Sequence, residues 1–292
     1  MPPRPPRVPD LGVGIGLRVP HYRAILDERP PVDFFEIISE NFMVRGGKPR
    51  HHLELFAERY RLVPHGVSLG IGGPEPPCRE YLTELKKLVR RLAPPWVSDH
   101  FCWSGVPGMH LHELLPLPQT REVAALVAER ARVVQDFLEV PLALENTSSY
   151  LEFSSNTLTE WQFVSEVADQ ADIGLLFDVN NVYVSATNHG FDPLTFISSI
   201  PVERIFQIHV AGHTNLGPVI IDTHRGAVVP EVWDLYAETI RRAGPISTLV
   251  EWDEEIPELP VVLSEAATAR RIRDDAMSRI PAPLPLRSTS PP

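Results

Sequence analysis

The chain has 292 residues, of which 43% are hydrophobic and 22% charged, as in an ordinary globular protein. Its net charge is −11 and its basic residues form only short runs, which disfavours a nucleic-acid partner because phosphate-backbone binding needs clustered cations. Two cysteines cannot build a disulfide framework, and no run approaches the roughly 18 apolar residues of a membrane span. We therefore expect a cytoplasmic protein with no membrane partner.

Proline is concentrated at both ends of the chain, where no apolar periodicity accompanies it. We expect residues 1–10 and 280–292 to be extended, poorly ordered tails. No low-complexity linker divides the interior, so residues 11–279 are predicted to form one domain.

Eight short apolar runs, bounded by turn-forming residues, recur along this interior. They are almost continuously hydrophobic rather than alternating, which is typical of parallel strands covered on both faces. The runs are Leu11–Leu17, Phe34–Ile38, Val63–Ile71, Trp96–Trp103, Pro141–Glu145, Ile173–Val179, Ile205–Val210 and Ser247–Trp252.

Longer segments with helical spacing separate several of these runs. The apolar positions are Tyr81, Leu82, Leu85, Leu88 and Val89; Val123, Leu126, Val127, Ala131, Val134 and Leu138; Trp161, Val164 and Val167; and Val232, Leu235, Tyr236 and Ile240. Strands that alternate with helices give right-handed βαβ units, and eight such units close into a barrel. We predict an α/β fold, a single-domain (β/α)8 barrel of the TIM type.

A doubly wound open sheet is the alternative architecture. Gly12, Gly14 and Gly16 would then form its dinucleotide fingerprint, but they lack the G-x-G-x-x-G spacing. We interpret these glycines instead as small residues at a place where a barrel strand packs tightly.

At least six of the eight runs carry an ionisable residue inside the run or at its end. Such groups are rarely buried unless they are paired or bound to a metal, because desolvating a charge is costly. In a barrel these positions converge on the catalytic face. Imidazoles and carboxylates without paired thiolates favour zinc, iron or manganese. Seven or more candidate ligands exceed the three or four that one ion uses, so we predict two or three ions.

The remaining histidines carry a weaker signal. His51 and His52 lie in a polar stretch and are expected to cap or solvate the start of a helix. His189 and His213 follow strand ends and are expected to contact ligands or substrate. No G-x-S-x-G elbow supports serine-nucleophile chemistry.

Nine short motifs occur in order over residues 11–265: Gly14–Arg18 with His21 and Tyr22, Phe35–Phe42, His65–Leu69, Ser98–His100, Glu145–Tyr150, Asp178–Tyr183, Ile208–His213, Asp222–His224 and Glu251–Asp253. Through them the chain resembles the multinuclear non-heme iron-dependent oxidases that modify ribosomally made peptides, the family of the methanobactin-biosynthesis oxidase. The resemblance implies a TIM-type barrel with two or three irons, in mixed Fe(II)/Fe(III) valence, near the strand ends.

Carried over residue by residue, the resemblance implies the metal ligands His65, His100, Glu145, Asp178, Asn181, His209, Asp222, His224 and Glu251. Asn181 stands where some members of the family place a histidine, and its amide would bind a metal more weakly. Asp99 and Asn146, each beside a candidate ligand, are expected to orient the ligands.

The activity implied by the resemblance is oxidation by O2 of cysteine residues in a ribosomally synthesised precursor peptide. The thiolate of the substrate cysteine would bind one iron. Many members work with a small partner protein that presents the peptide.

Two other functions fit the same residues. A zinc- or manganese-dependent hydrolase or isomerase, like the barrels of the xylose-isomerase and endonuclease-IV group, also places His, Asp and Glu at strand ends. A metal-storing or peptide-chaperoning scaffold would hold metal without open coordination positions. Iron with O2-dependent turnover separates the oxidase from both.

Overall fold

The computed structural model describes residues 8–106 and 108–279, and the chain folds into a closed barrel of eight parallel strands. The strands are β1 (Val13–Gly16), β2 (Phe35–Ile38), β3 (Leu62–His65), β4 (Val97–His100), β5 (Leu142–Glu145), β6 (Gly174–Asp178), β7 (Ile205–Ala211) and β8 (Ser247–Glu251). Each strand pairs with its sequence neighbours, and β1 pairs with β8 to close the ring. Each of the eight predicted runs overlaps one strand, and the predicted (β/α)8 barrel is confirmed.

Two of the predicted runs are longer than their strands. The run Val63–Ile71 leaves the barrel after His65, because Gly66 and Gly70 introduce turns and Gly70 has a φ of +55°. The run Trp96–Trp103 leaves it after His100. Outside the barrel, Trp103–Val106 pairs with Met109–Leu115 and Thr214–Asn215 with Ile220–Ile221 in two antiparallel hairpins, which were not predicted.

Helices surround the barrel in the described part of the chain. The α-helices are α1 (Tyr22–Glu28), α2 (Lys48–Ala57), α3 (Arg79–Leu92), α4 (Arg121–Leu138), α5 (Glu160–Ala171), α6 (Val179–His189), α7 (Pro193–Ser199), α8 (Pro230–Ala243) and α9 (Leu259–Ser278), with 3-10 turns at Val19–His21, Ser39–Phe42 and Val202–Arg204. The four predicted helical segments correspond to α3, α4, α5 and α8. None of the described helices is long and apolar enough to cross a membrane.

Apolar side chains close the N-terminal end of the barrel, with one residue from each strand or from the two residues that precede it. They are Leu11, Phe34, Val63, Trp96, Ala143, Leu176, Phe206 and Leu249. A Cβ on Gly14 would lie 2.6 Å from the Phe34 carbonyl oxygen, so the prediction of tight strand packing there is confirmed. With this end filled, polar side chains can gather only at the opposite end.

The expected tails fall mostly outside the described residues, namely residues 1–7 and 280–292. Of the expected N-terminal tail, Val8 packs against the apolar cluster and the Asp10 carboxylate pairs with Arg273.

Candidate metal centre

The C-terminal ends of six consecutive barrel strands bring predicted ligands together, and His65, His100, Glu145 and Glu251 line a pocket of about 300 Å³ there. These strand-borne residues are buried: His65, His100, Glu145, Asp178, His209 and Glu251. The loop after β7 adds two more side chains, Asp222 and His224, and α6 adds Asn181. The structure thus brings together all nine residues of the predicted set.

His65, His100 and Glu145 form the first group within this pocket. The Nε2 atoms of both histidines lie 3.4 and 3.3 Å from Glu145 Oε2. His65 Nδ1 hydrogen-bonds to Ser98 Oγ at 2.9 Å, and His100 Nδ1 donates to the Gly66 carbonyl oxygen at 3.1 Å. With the Nδ1 atoms engaged, the Nε2 atoms are the ring nitrogens that face the carboxylate, as in histidines that bind a metal.

The second group joins Glu145 to Asp178, His209 and Glu251. His209 Nδ1 lies 2.8 Å from Glu251 Oε2, 3.7 Å from Glu145 Oε1 and 4.0 Å from Asp178 Oδ2. The two oxygens of Glu145 therefore face different groups of candidate ligands.

His224 forms a third group with Glu251 and Asp253. Its Nδ1 lies 3.1 Å from Glu251 Oε2 and 3.7 Å from Asp253 Oδ2, and its Nε2 lies 2.8 Å from Asp222 Oδ1. The backbone of His224 is left-handed (φ +45°), a conformation that costs energy for a residue with a side chain. Since Asp253 N donates to the His224 carbonyl oxygen, the end of β8 holds this turn in place.

Asn146 and Asp99 position other groups, as expected. The Asn146 side chain forms two hydrogen bonds with the backbone of Asp178. Its Nδ2 donates to the Asp178 carbonyl oxygen at 2.9 Å, and its Oδ1 accepts from the Asp178 N–H at 3.0 Å. Asp99 accepts from the His100 and Leu69 backbone N–H groups. These contacts fix the ends of neighbouring strands relative to one another.

Asn181 is oriented by the start of α6. Asp178 caps this helix, and its Oδ1 accepts from the Asn181 N–H at 2.7 Å. The Asn181 amide nitrogen donates to the Asn146 carbonyl oxygen and lies 3.4 Å from Glu145 Oε1. Its Oδ1 has no partner and is the atom free to meet a cation.

His213 reaches the centre indirectly. Its Nδ1 hydrogen-bonds to Asn180 Oδ1 at 2.9 Å, and Asn180 Nδ2 donates to Asp222 Oδ1 at 2.9 Å. His189 lies in a neighbouring cavity, where its Nε2 donates to the Ser149 carbonyl oxygen. His51 is exposed in the first turn of α2, as predicted.

Sequence reasoning missed Glu36, which stands inside the apolar strand β2. This carboxylate is buried, and its Oε2 lies 3.1 Å from His209 Nε2. Gln207 Nε2 donates to the same oxygen, and Trp96 Nε1 donates to Gln207 Oε1 at 3.2 Å. A chain of polar contacts thus crosses the barrel interior beneath the ligands. The signal that selected the other residues, an ionisable group in an apolar run, also marks Glu36.

Arg18 and Asp253 were also missed as contributors to the site. The buried Arg18 guanidinium pairs with Asp253 and lies 3.4 Å from Glu251 Oε1. It supplies a positive charge at the edge of the acidic cluster. Within this ion pair, the Asp253 side chain is 41% exposed and the Arg18 side chain is 10% exposed.

The imidazoles and carboxylates of the pocket shift one another's pKa. Burial alone would lower the pKa of His209, but attraction by Glu36, Glu251 and Glu145 outweighs it and raises the pKa well above the usual value. Burial would raise the pKa of Glu251, but His209 and His224 lower it well below the usual value. These carboxylates therefore favour a positive charge on the His209 ring.

Asp178 shows the opposite balance. Burial raises its pKa well above the usual value, repulsion from Glu145 and Asp222 adds to this shift, and attraction by His224 and His209 does not offset the total. A carboxyl in this state is stabilised by any cation that takes the place of the missing charge.

Several candidate ligand atoms are buried and form no hydrogen bond with the residues that the structure describes: Glu145 Oε2, Asp178 Oδ2, Asn181 Oδ1, His209 Nδ1 and His224 Nε2. Two of them lie only 2.8 Å from a carboxylate oxygen without hydrogen-bond geometry, namely His209 Nδ1 and His224 Nε2. Buried polar atoms are nearly always satisfied in folded proteins, so their convergence on one space calls for a cation. The donor set fits metal ions, and each of the three groups has its ligand atoms within 4.8 Å of one another.

Comparison with known families agrees with this architecture. The family model described as "RiPP precursor modification enzyme MbnB/TglH/ChrH" matches residues 12–274, where RiPP denotes a ribosomally synthesised and post-translationally modified peptide. The chain belongs to this family. The resemblance inferred from the motifs is confirmed, and it places the chain among enzymes that modify precursor peptides.

Relatives of this chain occur in bacteria. A UPF0276 protein of Caulobacter vibrioides (strain NA1000 / CB15N) is 48% identical over 260 residues, covering 89% of this chain and 93% of that protein. UPF0276 protein Anae109_1558 of Anaeromyxobacter sp. (strain Fw109-5) is 47% identical over 270 residues, covering 92% and 95%.

Solved structures share the fold at low sequence identity. D-psicose 3-epimerase from Clostridium cellulolyticum H10, with D-tagatose, superposes with a TM-score of 0.55 and 14% identity, covering 91% of this chain and 97% of that one. The IOLI protein with a binding zinc atom gives 0.54 and 13%, covering 93% and 100%. At this identity the likeness confirms the barrel and carries no activity across.

Proposed function

We propose that this chain is a multinuclear non-heme iron oxidase that uses O2 to modify cysteine residues of a ribosomally synthesised precursor peptide. The observation that carries the proposal is the convergence of unpartnered, buried histidine and carboxylate atoms in a family that modifies such peptides. A hydrolase or isomerase of the xylose-isomerase-like group, the other candidate, draws only on the shared fold.

The residues divide among the ions as the three groups suggest. His65, His100 and Glu145 would hold one ion, and Asp178, His209 and Glu251 a second, with Glu145 between them. His224 would hold a third with Asp253 and Glu251, and Asp222 lies 2.8 Å from the other nitrogen of His224. Iron in these positions would supply the electrons that O2 chemistry needs and a Lewis acid for the cysteine sulfur.

The protein's own contribution is to hold the ligands and exclude water. Asn146, Glu36 and Asp99 fix the strand ends and the imidazole rings before any substrate arrives. His65 and His100 keep their Nδ1 atoms engaged, so each presents one lone pair to the centre. The pocket mouth carries His112, Glu113 and other groups from the first hairpin, which give a peptide a wall to lie against.

A peptide assay tests the proposal. The protein, purified without oxygen and loaded with iron, is incubated with a cysteine-bearing precursor peptide, with and without O2, and the peptide mass is measured. We expect a mass change at the cysteine only with O2. A small partner protein that presents the peptide is included in a parallel reaction.

Variants link the activity to the centre. His209→Ala and Glu251→Ala each remove a ligand of the second ion, and we expect loss of nearly all activity while the barrel stays folded. His51→Ala, an exposed change in α2, should retain it. Anaerobic turnover of a sugar or phosphodiester, with no change in any cysteine peptide, would favour the hydrolase or isomerase instead.

A further inference from the structure

A second cavity, of about 420 Å³, adjoins the metal pocket and has no role in the activity proposed above. It lies between the loop that follows β5 and helices α5 and α6. Thr147 lines both spaces, and Asn146, the residue after Glu145, lines this one. A peptide whose cysteine sits at the metals would therefore have a neighbouring residue within reach of this cavity.

Aromatic side chains form much of the cavity wall: Phe101, Phe153, Trp161, Phe163 and Phe191. The rings of Trp161 and Phe191 are tilted at 59° with their centroids 5.7 Å apart. Aromatic faces attract cations as well as apolar groups, because the ring quadrupole is negative above the plane. The wall alone thus accepts either kind of side chain.

Glu160 distinguishes the two possibilities. It lies at the first position of α5, just after Thr159, whose capping box with Gln162 fixes the start of the helix. Burial raises the pKa of its carboxyl to about 8. The carboxyl forms no hydrogen bond or ion pair with any of the residues that the structure describes, although it lines the cavity.

The charges around this carboxyl are unbalanced. Glu152 also lines the cavity, whereas Lys and Arg are absent from its described lining. The polar group of His189 is turned to the loop, since its Nε2 donates to the Ser149 carbonyl oxygen at 2.9 Å. A partly buried carboxyl without a partner among the described residues costs free energy, and a cation from outside would reduce that cost.

We propose that this cavity is a subsite for a lysine or arginine side chain of the precursor peptide, with Glu160 as the residue that pairs with the cation. The inference rests on the proposed function, since it takes a peptide at the metal pocket as given. The aromatic walls would hold the side-chain stem and add attraction for the charge. Glu160 loses its proton to solvent when the cation arrives.

Binding rather than turnover tests this subsite. Fluorescein-labelled nonapeptides with a central cysteine and lysine at each other position in turn are titrated against the full-length, metal-loaded protein without O2. Each is compared with the same peptide carrying norleucine, which keeps the stem and lacks the charge. We expect at least one position where lysine binds about tenfold tighter than norleucine, the effect of one partly desolvated charge pair.

Glu160→Gln should abolish that preference, because the amide keeps the shape and loses the charge. Glu122→Gln, an exposed change in the first turn of α4, is the matched control and should keep it. Calorimetry in two buffers of different ionisation enthalpy should show proton release on lysine-peptide binding at pH 7 in the wild type and none in Glu160→Gln. Should that variant fail to fold, Glu160→Asp is expected to give a reduced preference.

Equal or tighter binding of norleucine at every position would overturn the proposal and make the cavity an apolar subsite. A lysine preference that survives Glu160→Gln would overturn the role of Glu160. The outcomes are separable from those of the proposed function: a lysine preference without any O2-dependent mass change contradicts only the oxidase, and oxidation indifferent to lysine contradicts only the subsite.

Discussion

Replacing Glu36 with glutamine tests whether the polar chain beneath the ligands tunes the metal centre. Glu36 touches His209 through Nε2, while the Nδ1 of the same ring faces Glu251 and Glu145. If Nδ1 binds the metal, the carboxylate on Nε2 fixes the ring and makes it a stronger donor. Glutamine is close to glutamate in shape, so it preserves packing and removes only the charge.

The expected loss of metal affinity follows from the single contact between Glu36 and His209. Loss of a carboxylate behind a ligating histidine lowers metal affinity by about 10- to 100-fold, or about 1.4–2.7 kcal/mol. Glu36 also accepts from Gln207, so some reorientation of that amide is expected to accompany the change. The loss should be confined to the ion held by His209, Asp178 and Glu251.

Competition with a chelator, followed by measurement of the metal retained per chain, gives the affinity. Asp33→Asn is the matched control. Asp33 lies just before β2, at the closed end of the barrel, where its carboxylate accepts a hydrogen bond from the Val13 N–H and pairs with Arg270. We expect its metal affinity to match the wild type. Unchanged affinity in Glu36→Gln would refute the reasoning that this carboxylate supports a metal-bound histidine.

Three further predictions follow from the same geometry. Asn146→Ala removes two buried hydrogen bonds to Asp178 and should destabilise the fold by about 2–4 kcal/mol, lowering Tm by roughly 4–16 °C in thermal unfolding; an unchanged Tm would contradict it. Burial opposes protonation of His100, but nearby carboxylates raise its pKa to about 9, so below pH 9 a metal must displace this proton. Titrations should therefore show affinity falling about tenfold per pH unit below pH 9 for each proton displaced. Deleting residues 1–7 and 280–292 should leave the Tm of thermal unfolding and the metal content per chain unchanged. A truncated chain that expresses but lacks metal would show that the deleted residues belong to the site.

The barrel could be predicted because its strands are buried on both faces and so read as continuous apolar runs. The ligands followed from the same pattern, since an ionisable residue such as His209 or Asp178 in a fully buried strand needs a compensating charge. Glu36 obeys the same rule and was still overlooked, although it stands inside its apolar run as His209 does.

The elements outside the barrel depend on contacts that lie far apart in sequence. The hairpin Trp103–Val106 with Met109–Leu115 has neither the run length of a barrel strand nor a helical period. The position of His224 depends on a left-handed turn held by the end of β8, more than twenty residues away. The cavity lined by Glu160 forms where the loop after β5 meets helices α5 and α6. The local sequence pattern therefore predicted neither this cavity nor the position of His224.

Metal content is the most direct test of the multinuclear iron centre. The full chain is purified without oxygen, its folding is confirmed by circular dichroism, and its metals are counted by elemental analysis against protein concentration. We expect at least two irons per chain, because the eight candidate ligand residues of the three groups exceed the needs of one ion. One metal or fewer per folded chain, or zinc or manganese in place of iron, would contradict the account.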